Sequence, residues 1–93
     1  MTGPEAVRYR VTVAGRVQGV WYRETCRREA DAAGVSGWVR NNDDGSVEAM
    51  LEGEVGSVER VLRWMKAGPA LAVVRSVQVR TEDPVGEQTF TVR

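Results

Sequence analysis

The residues of this chain with most to offer chemically lie together in Gly15-Arg16-Val17-Gln18-Gly19-Val20-Trp21-Tyr22-Arg23. Two glycines bound a short loop, and an arginine follows it closely. Glycine reaches positive φ without steric cost, so Gly15 and Gly19 let successive main-chain N–H groups converge on one point. A helix beginning after the loop would add its N-terminal partial charge, and such a combination binds an anion. Arg23 then falls in the first helical turn. From there its guanidinium can reach back and grip two phosphate oxygens. The segment lacks the Gly-Lys-Ser/Thr ending of a Walker A loop and is not Gly-x-Gly-x-x-Gly, so nothing in it selects a nucleotide. Spacing alone leaves a plain tight connection with a solvated arginine as the other reading.

Other polar residues read more simply. Asn41 ends a strand at the start of a turn, and Asp43 and Asp44 beside Gly45 are turn residues before they are metal ligands or nucleophiles. Cys26 lacks an arginine at the spacing of a phosphatase loop and fits the apolar face of a helix as a small core residue. Trp21, Trp38 and Trp64 are expected at the edge of the core, since no basic stripe accompanies them as on a base-stacking platform. Glu48 and Glu52 are expected on the solvated face of a strand.

The elements that must position the loop follow from periodicity. Val7, Tyr9, Val11 and Val13 alternate with Arg8, Arg10 and Thr12, the period of a half-buried strand. After the loop, Tyr22, Cys26, Ala30 and Ala33 share one helical face, and Gly34 is the stop. Strands are predicted over Val35 to Asn41 and Ser46 to Glu52, with Asp44-Gly45 as the hairpin signal and Val47, Ala49 and Leu51 as the buried set. A second helix is expected from an N-cap at Ser57, with Val58, Val61, Leu62 and Met65 as its stripe and Gly68-Pro69 as its end. Val73 to Arg80 is a further strand, whose apolar phase slips between Val74 and Val77 and so predicts a bulge. Phe90 to Arg93 is read as a short extra edge strand. The order βαββαβ predicts a ferredoxin-like α+β sandwich: an antiparallel sheet with two helices on one face. One domain spans residues 1–93.

Composition removes several function classes. Thirteen basic residues balance thirteen acidic ones, so no overall field draws in nucleic acid. Twelve of the basic residues are arginine, so an arginine is not special by type alone. With no histidine there is no His general base, phosphohistidine or His-ligated metal, and one cysteine makes neither an internal disulfide nor a Cys-rich zinc site. No metal or other cofactor is expected. The opening MTGPEAVRYR has no apolar leader, and the longest purely apolar run, Ala70 to Val74, is far short of a membrane span. The chain reads as cytoplasmic, monomeric and without membrane or nucleic-acid partners.

Three stretches resemble the acylphosphatase family: VAGRVQGVWYR (Val13 to Arg23), GWVRNNDDGSVEA (Gly37 to Ala49) and GPALAVVRSV (Gly68 to Val77). They occur in order and cover most of the chain. The resemblance implies hydrolysis of the carboxyl–phosphate bond of acyl phosphates without a metal. It implies that Arg23 is the phosphate-binding catalytic arginine, that Asn41 holds the attacking water, and that Gly15, Arg16, Val17, Gln18, Gly19 and Val20 supply the amide cradle. Inorganic phosphate or sulfate should then compete for the same place. The family commonly has phenylalanine before the arginine; Tyr22 adds a hydroxyl there that needs a partner if buried. The rival readings are a non-catalytic ferredoxin-like module that binds an anion, a small ligand or RNA, and an accessory domain of a larger assembly. An RNA module should show an aromatic RNP-like strand and a basic surface, and the sequence has neither.

Overall fold

The computed structural model describes residues 5–93; residues 1–4, at the start of the segment read as lacking a leader, lie outside it. The elements run β1 (Ala6–Arg16), α1 (Tyr22–Ala33), β2 (Ser36–Asn41), β3 (Val47–Glu54), α2 (Val55–Ala67), β4 (Val73–Glu82) and β5 (Phe90–Val92). The sheet order is β4-β1-β3-β2-β5, the expected ferredoxin-like arrangement with one strand added. No helix among the described residues is long and apolar enough to cross a membrane.

Register makes the two faces of the sheet. Tyr9, Val11 and Val13 of β1 stand opposite Leu51, Ala49 and Val47 of β3, and Val39 of β2 stands opposite Ala49. This face meets Tyr22, Cys26 and Ala30 of α1 and Val58, Val61, Leu62 and Met65 of α2 in one core. Each valine or leucine so buried contributes about 1.5–3 kcal/mol relative to exposure. Asn41 pairs with Val47, in the same phase as Val39, so the end of β2 presents it on the helix side.

The other face departs from expectation. Glu48 and Glu52 are not solvated; they are 8% and 5% exposed. Glu48 is paired with Arg10 and Arg40. Arg8 Nη1 donates to Glu52 Oε1 at 2.7 Å, and Glu52 also accepts the N–H groups of Val85, Gly86 and Glu87. Burial alone would raise both carboxyls. At Glu48 the Arg10 and Arg40 bonds outweigh it, and at Glu52 the Val85 amide, Arg8 and the neighbouring amides do, so both stay below the usual carboxylate range. Trp38 is 6% exposed, with the guanidinium carbons of Arg93, Arg40 and Arg10 at 4.4, 5.1 and 5.9 Å from its ring. Long arginine stems thus cover a strand face whose sequence reads as exposed.

Two further details differ from the sequence reading, and a third agrees with it. The sheet is mixed, because β5 runs parallel to β2, with Gly37 opposite Phe90 and Val39 opposite Val92. The chain leaves β4 at one edge and reaches β2 at the other, and Glu52 holds the connecting loop on the way. Helix α2 begins at Val55 behind an extended Glu54, with no side-chain cap. Ser57 is therefore inside it: the pairing of Ala6 with Glu54 carries β3 straight into the helix. The bulge does lie in β4. Ala14 faces Ser76 and Gly15 faces Val74, which leaves Arg75 as the extra residue. Val74 and Val77 can then both pack against the core.

Candidate active site

The loop after β1 is set from both ends. Gly15 and Arg16 remain in the ladder with β4, opposite Val74 and Val73, so the loop proper starts at Val17. Gly15 has φ +133°, and a Cβ there would lie 2.1 Å from the Val73 carbonyl oxygen. Its glycine therefore serves the close approach of two strands at the bulge. Val17 and Val20 are buried in the core and anchor the loop from below. Gly19, exposed at φ +72°, supplies the left-handed turn between them. No main-chain carbonyl among the described residues accepts an N–H from Gln18, Gly19, Val20 or Trp21.

Helix α1 starts without a side-chain cap, behind Trp21 in the left-handed conformation (φ 65°, ψ 18°). The first internal bond runs from the Thr25 N–H to the Trp21 carbonyl at 3.1 Å. The N–H groups of the first turn are therefore left by helix geometry for another acceptor. Tyr22, the first helical residue, is buried. Its hydroxyl donates to the Met65 carbonyl at 2.7 Å, and its ring packs on Trp64 with centroids 5.2 Å apart. The partner that Tyr22 needs is thus a carbonyl of the last turn of α2. Burial, with Cys26 nearby, pushes the phenol well above its ordinary range. Cys26 is itself fully buried, and its thiol is pushed up to about 12, first by burial and then by Glu29. It is a core residue, not a nucleophile.

Arg23 follows Tyr22 and is half-buried; its Nη1 donates to the main-chain oxygen of Arg93 at 2.9 Å. Glu24, next along, is held below the usual carboxylate range first by Arg27, with Arg28 adding to the effect.

The hairpin that carries Asn41 is closed by its own side chains. Asp44 Oδ1 accepts from the Ser46 N–H at 2.9 Å and from its hydroxyl at 2.6 Å. The Asn42 N–H donates to the Ser46 carbonyl at 2.8 Å. Gln18 reaches across from the first loop and donates to the carbonyls of Asn42 at 2.8 Å and Ser46 at 2.9 Å.

A cavity of about 450 Å³ opens between these parts, lined by Val17, Gly19, Trp21, Tyr22, Arg23, Glu24, Asn41 and Val92. It brings together Arg23, Asn41, Val17 and Gly19 of the residues singled out from sequence. Gly15, Arg16, Gln18 and Val20 do not line it: the first two belong to the β1–β4 ladder, Gln18 ties the loop to the hairpin, and Val20 is core. Trp21, expected at the core edge, is instead 77% exposed at the cavity. Val92 and Glu24 also escaped the sequence reading. The pairing of β5 with β2 brings Val92 alongside Val39, and no local signal announces it.

A family model described as Acylphosphatase matches residues 9–92. An acylphosphatase of Rubrobacter xylanophilus is 51% identical over 88 residues, covering 92% of this chain and 79% of its own length. One of a Roseiflexus species is 48% identical over 84 residues, with 90% of each chain covered. The crystal structure of acylphosphatase from Bacillus subtilis superposes with a TM-score of 0.90 at 34% identity, covering 94% of this chain and 98% of its own.

Proposed function

The chain belongs to the acylphosphatase family, a family of acyl phosphate hydrolases, and from that premise we propose how its residues divide the reaction. The phosphate group of the substrate sits on the main-chain N–H groups of the loop from Val17 to Val20, which the β1–β4 pairing of Gly15 and Arg16 anchors, at the N-terminus of α1, and is gripped by Arg23. Asn41 orients the attacking water through its carbonyl oxygen. The observation that carries this reading is that Arg23 and Asn41, far apart in sequence, line one cavity with Gly19.

The chemistry asks little more of the protein. Water attacks phosphorus, the bond from phosphorus to the acyl oxygen breaks, and a carboxylate departs with the electron pair. Its low basicity removes the need for a general acid, and both water protons end on the released phosphate. An amide is no base at neutral pH, so the phosphate oxygens take the proton. Placement of water and phosphate, with charge stabilisation by Arg23 and main-chain amides, accounts for catalysis.

Phosphate release from benzoyl phosphate with a chelator present tests the reading. Rapid release is expected, with little from an alkyl phosphate, whose alkoxide leaving group needs a proton donor, whereas the carboxyl of Glu24 in this cavity is held in its charged form by Arg27. Inorganic phosphate or sulfate should inhibit competitively. Equal turnover of the two substrates would reject the proposal.

A further inference from the structure

We propose that the indole of Trp21 is the acyl-group subsite of this cavity and selects acyl phosphates whose acyl group is aromatic or bulky and apolar. The inference rests on the phosphate being held by the loop and Arg23 as set out above.

Trp21 is costly where it stands. It is the one non-glycine residue at positive φ among the described residues, a conformation that bulky side chains rarely adopt. Its indole is 77% exposed, whereas Trp38 lies under three arginines and Trp64 packs on Tyr22. The backbone of Trp21 is fixed for another reason: its carbonyl accepts both the N–H and the hydroxyl of Thr25 and so starts α1. Glycine or asparagine would serve that backbone at less cost. At 77% exposure the residue adds little packing to the fold, and a costly conformation held by its surroundings points to a use in function.

The use follows from what surrounds it. Arg23, Glu24 and Asn41 provide the polar side chains of the cavity, and Val17, Trp21, Tyr22 and Val92 contribute apolar surface. Its volume of about 450 Å³ lies in the range of small-molecule sites. When the phosphate occupies the loop, the acyl substituent occupies the rest. A flat apolar group stacks on an indole, whereas a methyl group covers little of it. Such a contact is made before and during bond breaking alike, so it lowers KM more than it raises kcat.

The test compares benzoyl phosphate with acetyl phosphate in the parent chain and in Trp21→Ala, Trp21→Phe and Arg23→Ala. Trp21→Ala should lower the benzoyl-to-acetyl ratio of kcat/KM on the order of tenfold, chiefly through a raised KM for benzoyl phosphate. Trp21→Phe should keep most of the parent ratio. If Trp21→Ala does not fold, Trp21→Gly removes the indole and suits the positive φ. An unchanged ratio in folded Trp21→Ala or Trp21→Gly overturns the inference, whether both substrates suffer equally or neither does. Arg23→Ala reads the underlying site separately. If it depresses both substrates while the Trp21 variants keep the parent ratio, only the acyl subsite falls. If Arg23→Ala turns over both substrates normally, the phosphate site itself is misassigned.

Discussion

Gln18 donates from Nε2 to the main-chain oxygen of Asn42 at 2.8 Å, and so joins the loop after β1 to the residue beside Asn41. The same nitrogen reaches the Ser46 carbonyl at 2.9 Å. Loop and hairpin lie far apart in sequence, and these bonds hold them in one arrangement. Gln18→Leu should destabilise the fold by about 1–2 kcal/mol by removing a half-buried donor from two carbonyls. It should also lower kcat more than it raises the inhibition constant of phosphate, because it loosens Asn41 relative to the loop. Gln18→Glu should be worse, since a carboxylate offers those carbonyls no donor. Urea unfolding beside steady-state kinetics checks both effects. Parent kcat in a folded Gln18→Leu would show that loop and hairpin are positioned independently.

Gly15 and Gly19 should respond differently to alanine. At Gly15 a Cβ meets main-chain atoms, Val73 O at 2.1 Å and Arg75 N at 2.9 Å, and neither can swing away. Gly15→Ala should cost about 2–3 kcal/mol by forcing β1 and β4 apart. At Gly19 nothing lies within 4 Å, so Gly19→Ala should cost only about 1–2 kcal/mol, the left-handed penalty. Denaturation midpoints of the two variants separate a bulge residue from a loop residue.

The sequence showed most where local chemistry and packing agree. The Tyr22, Cys26, Ala30 spacing, the Gly34 stop and the Asp44-Gly45 turn all reflect short-range rules, and each stands where it was expected. The slipped phase of Val74 and Val77 marked a real bulge, because a change of register is written directly into the apolar pattern. What escaped depends on distant segments. Glu48 and Glu52 read as solvated because strand alternation cannot foresee arginines from β1 and β2 closing over them, or amides from residues 85–87 folding onto Glu52. Of the proposed cradle, the motif located the cavity but did not tell its lining from its supports. Val17 and Val20 look alike in sequence, yet only Val17 reaches the cavity.

Arg23 and Asn41 should fail in different ways. Arg23 is assigned to the phosphate in both ground and transition states, so Arg23→Ala should weaken phosphate binding as well as turnover. The expected loss in kcat/KM is on the order of 10²–10³, the size seen when one main transition-state donor is removed. Lysine should rescue poorly, since a point charge does not reproduce a two-pronged fork. Asn41 is assigned to the water alone, so Asn41→Ala should keep phosphate affinity while kcat collapses. Phosphate inhibition constants measured beside kcat for folded variants decide it. An Asn41→Ala variant with near-parent kcat would end this division of labour.

Glu52 should set part of the acid sensitivity of the fold. Its carboxyl lies below the usual range because the Val85, Gly86 and Glu87 amides and Arg8 favour the charged form strongly enough to outweigh burial. At a pH between its folded and unfolded values, the unfolded chain binds more protons, so stability rises with pH there. The contribution is therefore complete above the ordinary carboxylate range and is lost as pH falls through the folded value. For the parent, stability should decline from about pH 5 downward. Glu48, held low by Arg10 and Arg40, contributes with the same sign. Glu52→Gln keeps the shape but leaves Arg8, itself buried, without its closest carboxylate at 2.7 Å. It should lower stability at neutral pH by about 3 kcal/mol and flatten the acid slope, with Glu48 supplying the remainder. Hydrogen exchange at Val85, Gly86 and Glu87 should quicken in the same variant, since those amides lose their charged acceptor. Urea unfolding of both proteins from pH 7 to pH 3 gives the comparison. Parallel curves would mean that Glu52 does not carry the acid dependence, whatever its hydrogen bonds.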